Sequence, residues 1–230
     1  PIYDPAHLKL GELLVKEAKV DEALKYFESS LKKNPKGALM HYGLANLKKQ
    51  IASTSGELKI LGEAEAAYRS ALELNPGLVN ARRNLVSVLV ESGKAAAGLK
   101  ELKGLMRRTD FHDNMSYELG RANQALGRLE EASRHYKEAL SREPENARFL
   151  KFAGENSFAR KDYENARSLL AKATKLNPKD IDVHYYLGRI AYIDKKHQTA
   201  IQRFKQGLGL DKRNHVIRYW LARALQASGI

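Results

Sequence analysis

The stretch PKDIDVHYYLGRIAYIDKKHQTAIQRFKQGLGL, residues 178–210, decides the fold. A small residue follows a leucine at Leu187-Gly188, a second small residue, Ala200, comes twelve residues later, and the large apolar Phe204 four after that. Small residues at two fixed points let two helices approach closely, and an aromatic between them fills the gap. A proline such as Pro178 ends one helix before the next begins. The stretch therefore reads as a helical hairpin.

The same hairpin recurs on both sides. Equivalent small positions fall at 11, 45, 86, 120, 154, 188 and 222, at intervals of 34, 41, 34, 34, 34 and 34. Leu10-Gly11, Leu44-Ala45, Leu119-Gly120 and Leu221-Ala222 carry the step, Gly154 follows Ala153, and position 86 is Val. The second small position is Ala23, Gly98, Ala132 or Ala166, with Ala64 delayed by seven residues, and the large one is Phe27, Tyr68, Leu102, Tyr136 or Leu170. Pro35, Pro76, Pro144 and Pro178 close four of the six units.

This pattern resembles the tetratricopeptide repeat family, whose unit of about 34 residues carries an aromatic, Leu-Gly, a Tyr, an Ala, a Phe or Tyr and a Pro. The resemblance covers nearly the whole chain. It implies an all-α fold, a right-handed superhelical solenoid of antiparallel helix pairs. The six repeats fall at 4–37, 38–78, 79–112, 113–146, 147–180 and 181–214, and a terminal helix at 215–230 caps the last apolar face, with Trp220 and Leu221 packing on repeat six. Residues 1–230 thus read as one solenoid domain. Two units depart from the pattern. The second carries seven extra residues around Ile51 to Ile60, read as a longer loop or extended helices, with Ser53-Thr54-Ser55-Gly56 as its turn. The third ends in Thr109-Asp110-Phe111-His112 and has Gly98 and Gly104 in its second helix, which marks it as a soft point.

With 40 Lys and Arg against 27 Asp and Glu, the formal net charge of +13 favours acidic partners or polyanions. The absence of Cys excludes disulfides, thiolate metal sites and cysteine nucleophiles, and leaves cytoplasm and periplasm equally open. No apolar run approaches the roughly 20 residues needed to span a bilayer. The chain opens on Pro1 and reads as a soluble, excised or processed piece.

Chemistry is hard to place on these residues. His7, His41 and His184 share one repeat position and read as framework, and no His-Glu-x-x-His spacing occurs. His112-Asp113 lacks a third partner. Gly207-Leu208-Gly209 lacks the strand and third glycine of a phosphate loop. Glu130 and Glu131 are adjacent and point to different helix faces. The expectation is a protein that is not an enzyme and needs no cofactor or metal.

The resemblance implies that the first helix of each repeat lines a concave groove through its second, fifth, ninth, twelfth and thirteenth residues. The fifth and ninth residues include Tyr42 and Asn46, Tyr117 and Arg121, Tyr185 and Arg189, and Tyr219 and Arg223. Residues four apart share a helical face, so these pairs form a ladder, joined by Arg83, Arg148, Lys151, Phe158 and Tyr192. Glu12, Glu91, Glu155 and Asp182 oppose them. Aromatic planes interleaved with guanidiniums suit a carboxylate- or aromatic-bearing ligand. Alternatively the tyrosines only pack between repeats and the arginines only solubilise. A carboxylate clamp for a chaperone tail would need five residues where the chain has Tyr42, Asn46, Asn84, Asn114 and Glu118, and only Asn46 and Asn84 match. The reading is an interaction scaffold for a protein or peptide partner, with an acidic segment favoured. The alternatives are a scaffold in a polysaccharide-handling or secretion assembly, taking an anionic polysaccharide, or the interaction region of a multidomain enzyme. Basic residues scattered over helices and turns do not make a specific nucleic-acid site.

Overall fold

Leucine-small steps at a fixed spacing oblige helices to pack in pairs, and pairs are what the computed structural model contains. It describes residues 4–106 and 115–229, which hold thirteen helices and no strand. The helices divide between two compact units, residues 1–113 and 114–230. The first unit contains α1 (Asp4–Lys16), α2 (Val20–Lys33), α3 (Ala38–Ser55), α4 (Leu58–Leu74), α5 (Val79–Glu91) and α6 (Ala95–Met106). The second contains α7 (Ser116–Ala125), α8 (Leu129–Arg142), α9 (Ala147–Ala159), α10 (Tyr163–Leu176), α11 (Ile181–Ile193), α12 (His197–Leu210) and α13 (His215–Ala227).

Within each pair a small residue on the first helix lies under a large one on the second. A Cβ added to Gly188 would stand 2.5 Å from the Phe204 ring, one on Gly120 2.6 Å from Tyr136, and one on Gly154 2.6 Å from Leu170. Those separations are too short for any side chain, so glycine here lets the large residue be fully buried. The α5/α6 pair redistributes the same volume. Val86 occupies the small position, Leu102 replaces the aromatic, and a Cβ on Gly98 would lie 3.5 Å from the Val86 side chain. Gly98 thus receives Val86, whereas a Cβ on Gly104 would meet nothing within 4 Å. The expected turn at 109–112 lies outside the described residues, as do Arg107, Arg108, His112 and Asp113.

Three-residue turns join the helices of most pairs. Their middle residue takes a left-handed conformation, which Gly93 and Gly127 adopt freely and Ala18, Lys161 and Lys195 adopt with strain. The turns between pairs are locked from the following helix. His41 donates from Nε2 to the Pro35 carbonyl (3.0 Å), His184 to that of Pro178 (2.9 Å), Arg82 to that of Pro76 (3.3 Å), and Arg218 to that of Lys212. Framework histidine is therefore the observed role at 41 and 184. His184→Leu removes the donor and orphans a turn carbonyl, so it should lower stability by about 1–2 kcal/mol, measured by urea unfolding.

The seven extra residues of the second pair lengthen both helices. Ser53-Thr54-Ser55 is not a turn, a correction to the sequence reading. Ser53 and Thr54 hydroxyls donate to the Gln50 and Ile51 carbonyls inside α3, and Gly56, at φ 75°, ends it. Ala52 and Leu61 on the lengthened segments are buried in one core with Tyr68 and Leu85, and that burial holds the extension helical.

Candidate functional site

In the second unit the first helices α7, α9, α11 and α13 carry aromatic rings interleaved with arginines. Arg189 on α11 lies over the Trp220 ring of α13 at 3.7 Å from its centroid, with Phe158 of α9 at 5.4 Å and Tyr185 at 5.6 Å. Its Nη1 donates to the Tyr185 hydroxyl at 2.6 Å. One guanidinium therefore ties three helices together. Tyr192 and Tyr219 meet Trp220 edge-on at 5.6 and 5.5 Å. Arg223 donates to the Tyr219 hydroxyl at 3.2 Å. Tyr219, 54% exposed, and Arg223 form the open rim of this cluster.

Nearer the start of the unit, Tyr117 is a core residue rather than a groove residue. It is 4% exposed and stacks on Phe149 at 4.7 Å, and burial pushes its hydroxyl pKa up. Arg148 covers its ring from solvent at 4.9 Å, and Arg121 lies over Phe152 at 5.0 Å. Lys151 is half-buried and paired with Asp180 (3.0 Å) and Asp182 (3.2 Å). Burial alone would lower its pKa, but the Asp180 bond prevails and keeps the ammonium charged. The expected basic contribution of Lys151 is thus cancelled locally.

Glu155 on α9 faces the same region, and burial raises its pKa to about 7; Asp182 and Asp180 push the same way, while Lys151 and Arg121 oppose. It borders a cavity of about 340 Å³ lined also by Ile181, Asp182, Tyr185, Tyr186, Asn214, Val216 and Ile217.

The first unit is different. Tyr42 packs against Tyr68 at 6.2 Å, and Asn46 accepts from the Tyr68 hydroxyl (2.6 Å) and from Asn84 (2.9 Å). The two asparagines that matched a clamp are therefore bonded to one another. Arg83 is half-buried on α5, Glu12 pairs with Lys9, and Glu91 accepts from Ser87. Of the ladder residues, the structure brings together Arg189, Tyr185, Tyr192, Tyr219 and Arg223, and separately Tyr117, Arg121 and Arg148.

Phe152 and Tyr186 were not singled out from the sequence, although with Trp220, read there as packing on repeat six, they stand 34 residues apart at the sixth repeat position. That spacing was the available signal. Among the described residues no group of three His, Asp or Glu side chains could hold a metal ion, and no helix is long and apolar enough to cross a membrane.

Residues 8–47 and 123–190 each match the tetratricopeptide repeat. The crystal structure of a tetratricopeptide repeat protein from Parabacteroides merdae superposes with a TM-score of 0.78 at 15% identity, over 98% of this chain and 85% of that one. The chain belongs to the tetratricopeptide repeat family. Two curated relatives extend the likeness. Cellulose synthase operon protein C of Pseudomonas fluorescens is 31% identical over 132 residues, which is 54% of this chain and 10% of that protein. The TPR repeat-containing protein YpiA of Bacillus subtilis is 22% identical over 226 residues, 97% of this chain and 51% of that protein. The chain thus spans about a tenth and about half the length of these relatives. Its architecture is that of a tetratricopeptide repeat scaffold.

Proposed function

We propose that this scaffold is non-catalytic and binds an acidic or aromatic-bearing protein segment on the first-helix face of the second unit. One observation carries the reading. Arg148, Arg189 and Arg223 are held against aromatic rings, yet among the described residues none is paired with a carboxylate. Several arginines elsewhere on the chain are neutralised, Arg69 and Arg82 by Glu101, Arg160 by Glu130 and Arg167 by Asp194, whereas those left over, such as Arg134 and Arg213, are held by no ring among the described residues. A guanidinium fixed by a ring and not neutralised is pre-organised for a partner's carboxylate. The reading also draws on the repeat frame assigned from sequence and on the family's use as scaffolds. Pull-down with the wild-type chain and with the Arg121→Glu, Arg189→Glu variant tests it. Recovery of specific partners should fall at least about tenfold in the variant. Equal recovery by both would overturn the reading.

A second reading is a scaffold of a polysaccharide-handling assembly. The similarity to cellulose synthase operon protein C supports it, as does a tryptophan in the cluster. Arg189 already covers one face of Trp220, which favours the first reading over sugar stacking. Trp220 is the only tryptophan, so its fluorescence reports directly on either ligand class. A saturable change with anionic oligosaccharide and none with acidic peptide would reverse the preference.

A further inference from the structure

Turns between pairs are locked by the fourth residue of the following repeat: His41 donates to the Pro35 carbonyl, Arg82 to that of Pro76 and His184 to that of Pro178. The fifth repeat is an exception. Its fourth residue is Leu150, an apolar side chain only 3% exposed, and among the described residues no group donates to the Pro144 carbonyl. A cavity of about 860 Å³ lies at this turn, bordered by Pro144, by Leu150 and by Leu176 at the end of α10. All its lining residues belong to the second unit.

The charge at this turn is as unusual as its missing lock. In the locked turns the proline stands between Asn34 and Lys36, between Asn75 and Gly77, and between Asn177 and Lys179, whereas Pro144 stands between Glu143 and Glu145. Both glutamates are exposed and border the cavity. The turn keeps its shape without an occupant. Asn146 donates from Nδ2 to Glu143 at 2.9 Å and accepts from the Arg148 and Phe149 amides at 3.1 and 3.2 Å. A carbonyl without a donor, set between two carboxylates over an apolar floor, calls for a cationic donor on an apolar stem. In the third repeat the chain itself supplies one: Arg82 gives Nη2 to the Pro76 carbonyl and Nη1 to Glu101 at 3.4 Å. A guanidinium carries several N–H donors in a fixed fork, so it can serve a carbonyl and a carboxylate together; an ammonium, a compact point charge, fits that pair less well. Lys172 and Lys175 line the α10 side of the cavity and suit an acid beside such an arginine.

We propose that this cavity is a docking site for an arginine side chain of a partner protein, carried on a segment with an acidic residue next to the arginine. The guanidinium takes the donor role that Arg82 and His184 play in their own repeats, and it pairs with Glu145. The arginine's stem lies on Leu150 and Leu176, and the neighbouring acid meets Lys172 and Lys175. The charge sense is the reverse of that at the arginine and aromatic cluster. The two sites share no residue, so either reading can fail without the other.

The probe is the end-blocked dipeptide acetyl-Arg-Asp-amide, titrated into the isotope-labelled chain and followed by backbone amide chemical shifts. Saturable shifts at Glu145, Asn146, Leu150 and Lys175 are expected, with a Kd of about 0.2–5 mM. Glu145→Lys, the residue type present at Lys36 and Lys179, should weaken binding at least about fivefold, as should citrulline in place of the probe's arginine. Leu150→His rebuilds the lock seen at His184 and should weaken it at least about tenfold. Glu145 is exposed, so its variant decides the matter even where Leu150→His does not fold. Arg189→Glu should leave the affinity within about twofold. No saturation below about 20 mM, affinity untouched by Glu145→Lys, or shifts centred on Tyr185 and Arg189 would each overturn the proposal. Dimerisation in sedimentation that Glu145→Lys abolishes would give the cavity to an arginine of a second copy, and the partner-protein assignment would fall.

Discussion

Phe204→Ala is expected to lower the stability of the second unit by about 3–5 kcal/mol. Phe204 has no exposed surface and lies over Gly188 in a core shared with Ala200, Ile201, Ile217 and Ala224. Removing the ring opens a cavity between helices whose backbones are already in contact, so they can collapse only partly. Gly188→Ala fails for the opposite reason: its Cβ would stand 2.5 Å from the ring, and overpacking costs about 1–3 kcal/mol. Together the two changes should be less harmful than their sum, because the new methyl enters space the ring has left. Urea unfolding followed by Trp220 fluorescence reads the second unit selectively. Strict additivity in that cycle would show that position 188 and Phe204 do not meet.

The second large effect is a pH dependence set by Glu155. Its carboxyl titrates near 7 in the folded chain because it is buried, against 4.5 ordinarily. The folded state therefore holds a proton that the unfolded chain releases between those values. Stability from this group is fully present below about pH 4.5, declines as pH rises and is lost above about 7. At about 1.4 kcal/mol per pH unit the change is at most about 3 kcal/mol. Glu155→Gln keeps the shape and removes the titration, so the variant should exceed wild type at pH 8 and match it near pH 4.5. Urea unfolding at both pH values checks this. Parallel loss in both proteins would assign the dependence to another group.

Much of the fold was legible because close helix packing writes itself into sequence. Gly11, Gly120, Gly154 and Gly188 are small for a contact made within the same hairpin, with a partner sixteen residues away. The insertion was not decided that way. Seven added residues suit a loop or longer helices equally, and the burial of Ala52 and Leu61 made the choice. The candidate site was legible in part. Tyr185 with Arg189 and Tyr219 with Arg223 are local pairs on one helix, and both bond as their spacing allows. The fate of Lys151 was not legible, since the acids that neutralise it stand 29 and 31 residues away, Asp180 at the far end of its repeat and Asp182 in the next. Nor was the core position of Tyr117, which depends on Phe149 and Phe152 closing over it.

The sequence by itself determined the helical pairs, most of their turns and the alternation of small and large residues between them. Each depends on neighbours within one repeat length, where chain connectivity leaves few arrangements. Only the tertiary structure decided which charges are paired and which are buried. Arg189 lies on Trp220, Lys151 is neutralised, and Glu155 is buried enough to hold a proton. Those outcomes depend on solvent exclusion and on the Coulomb balance among side chains from several repeats. Such sums are not visible along a single helix.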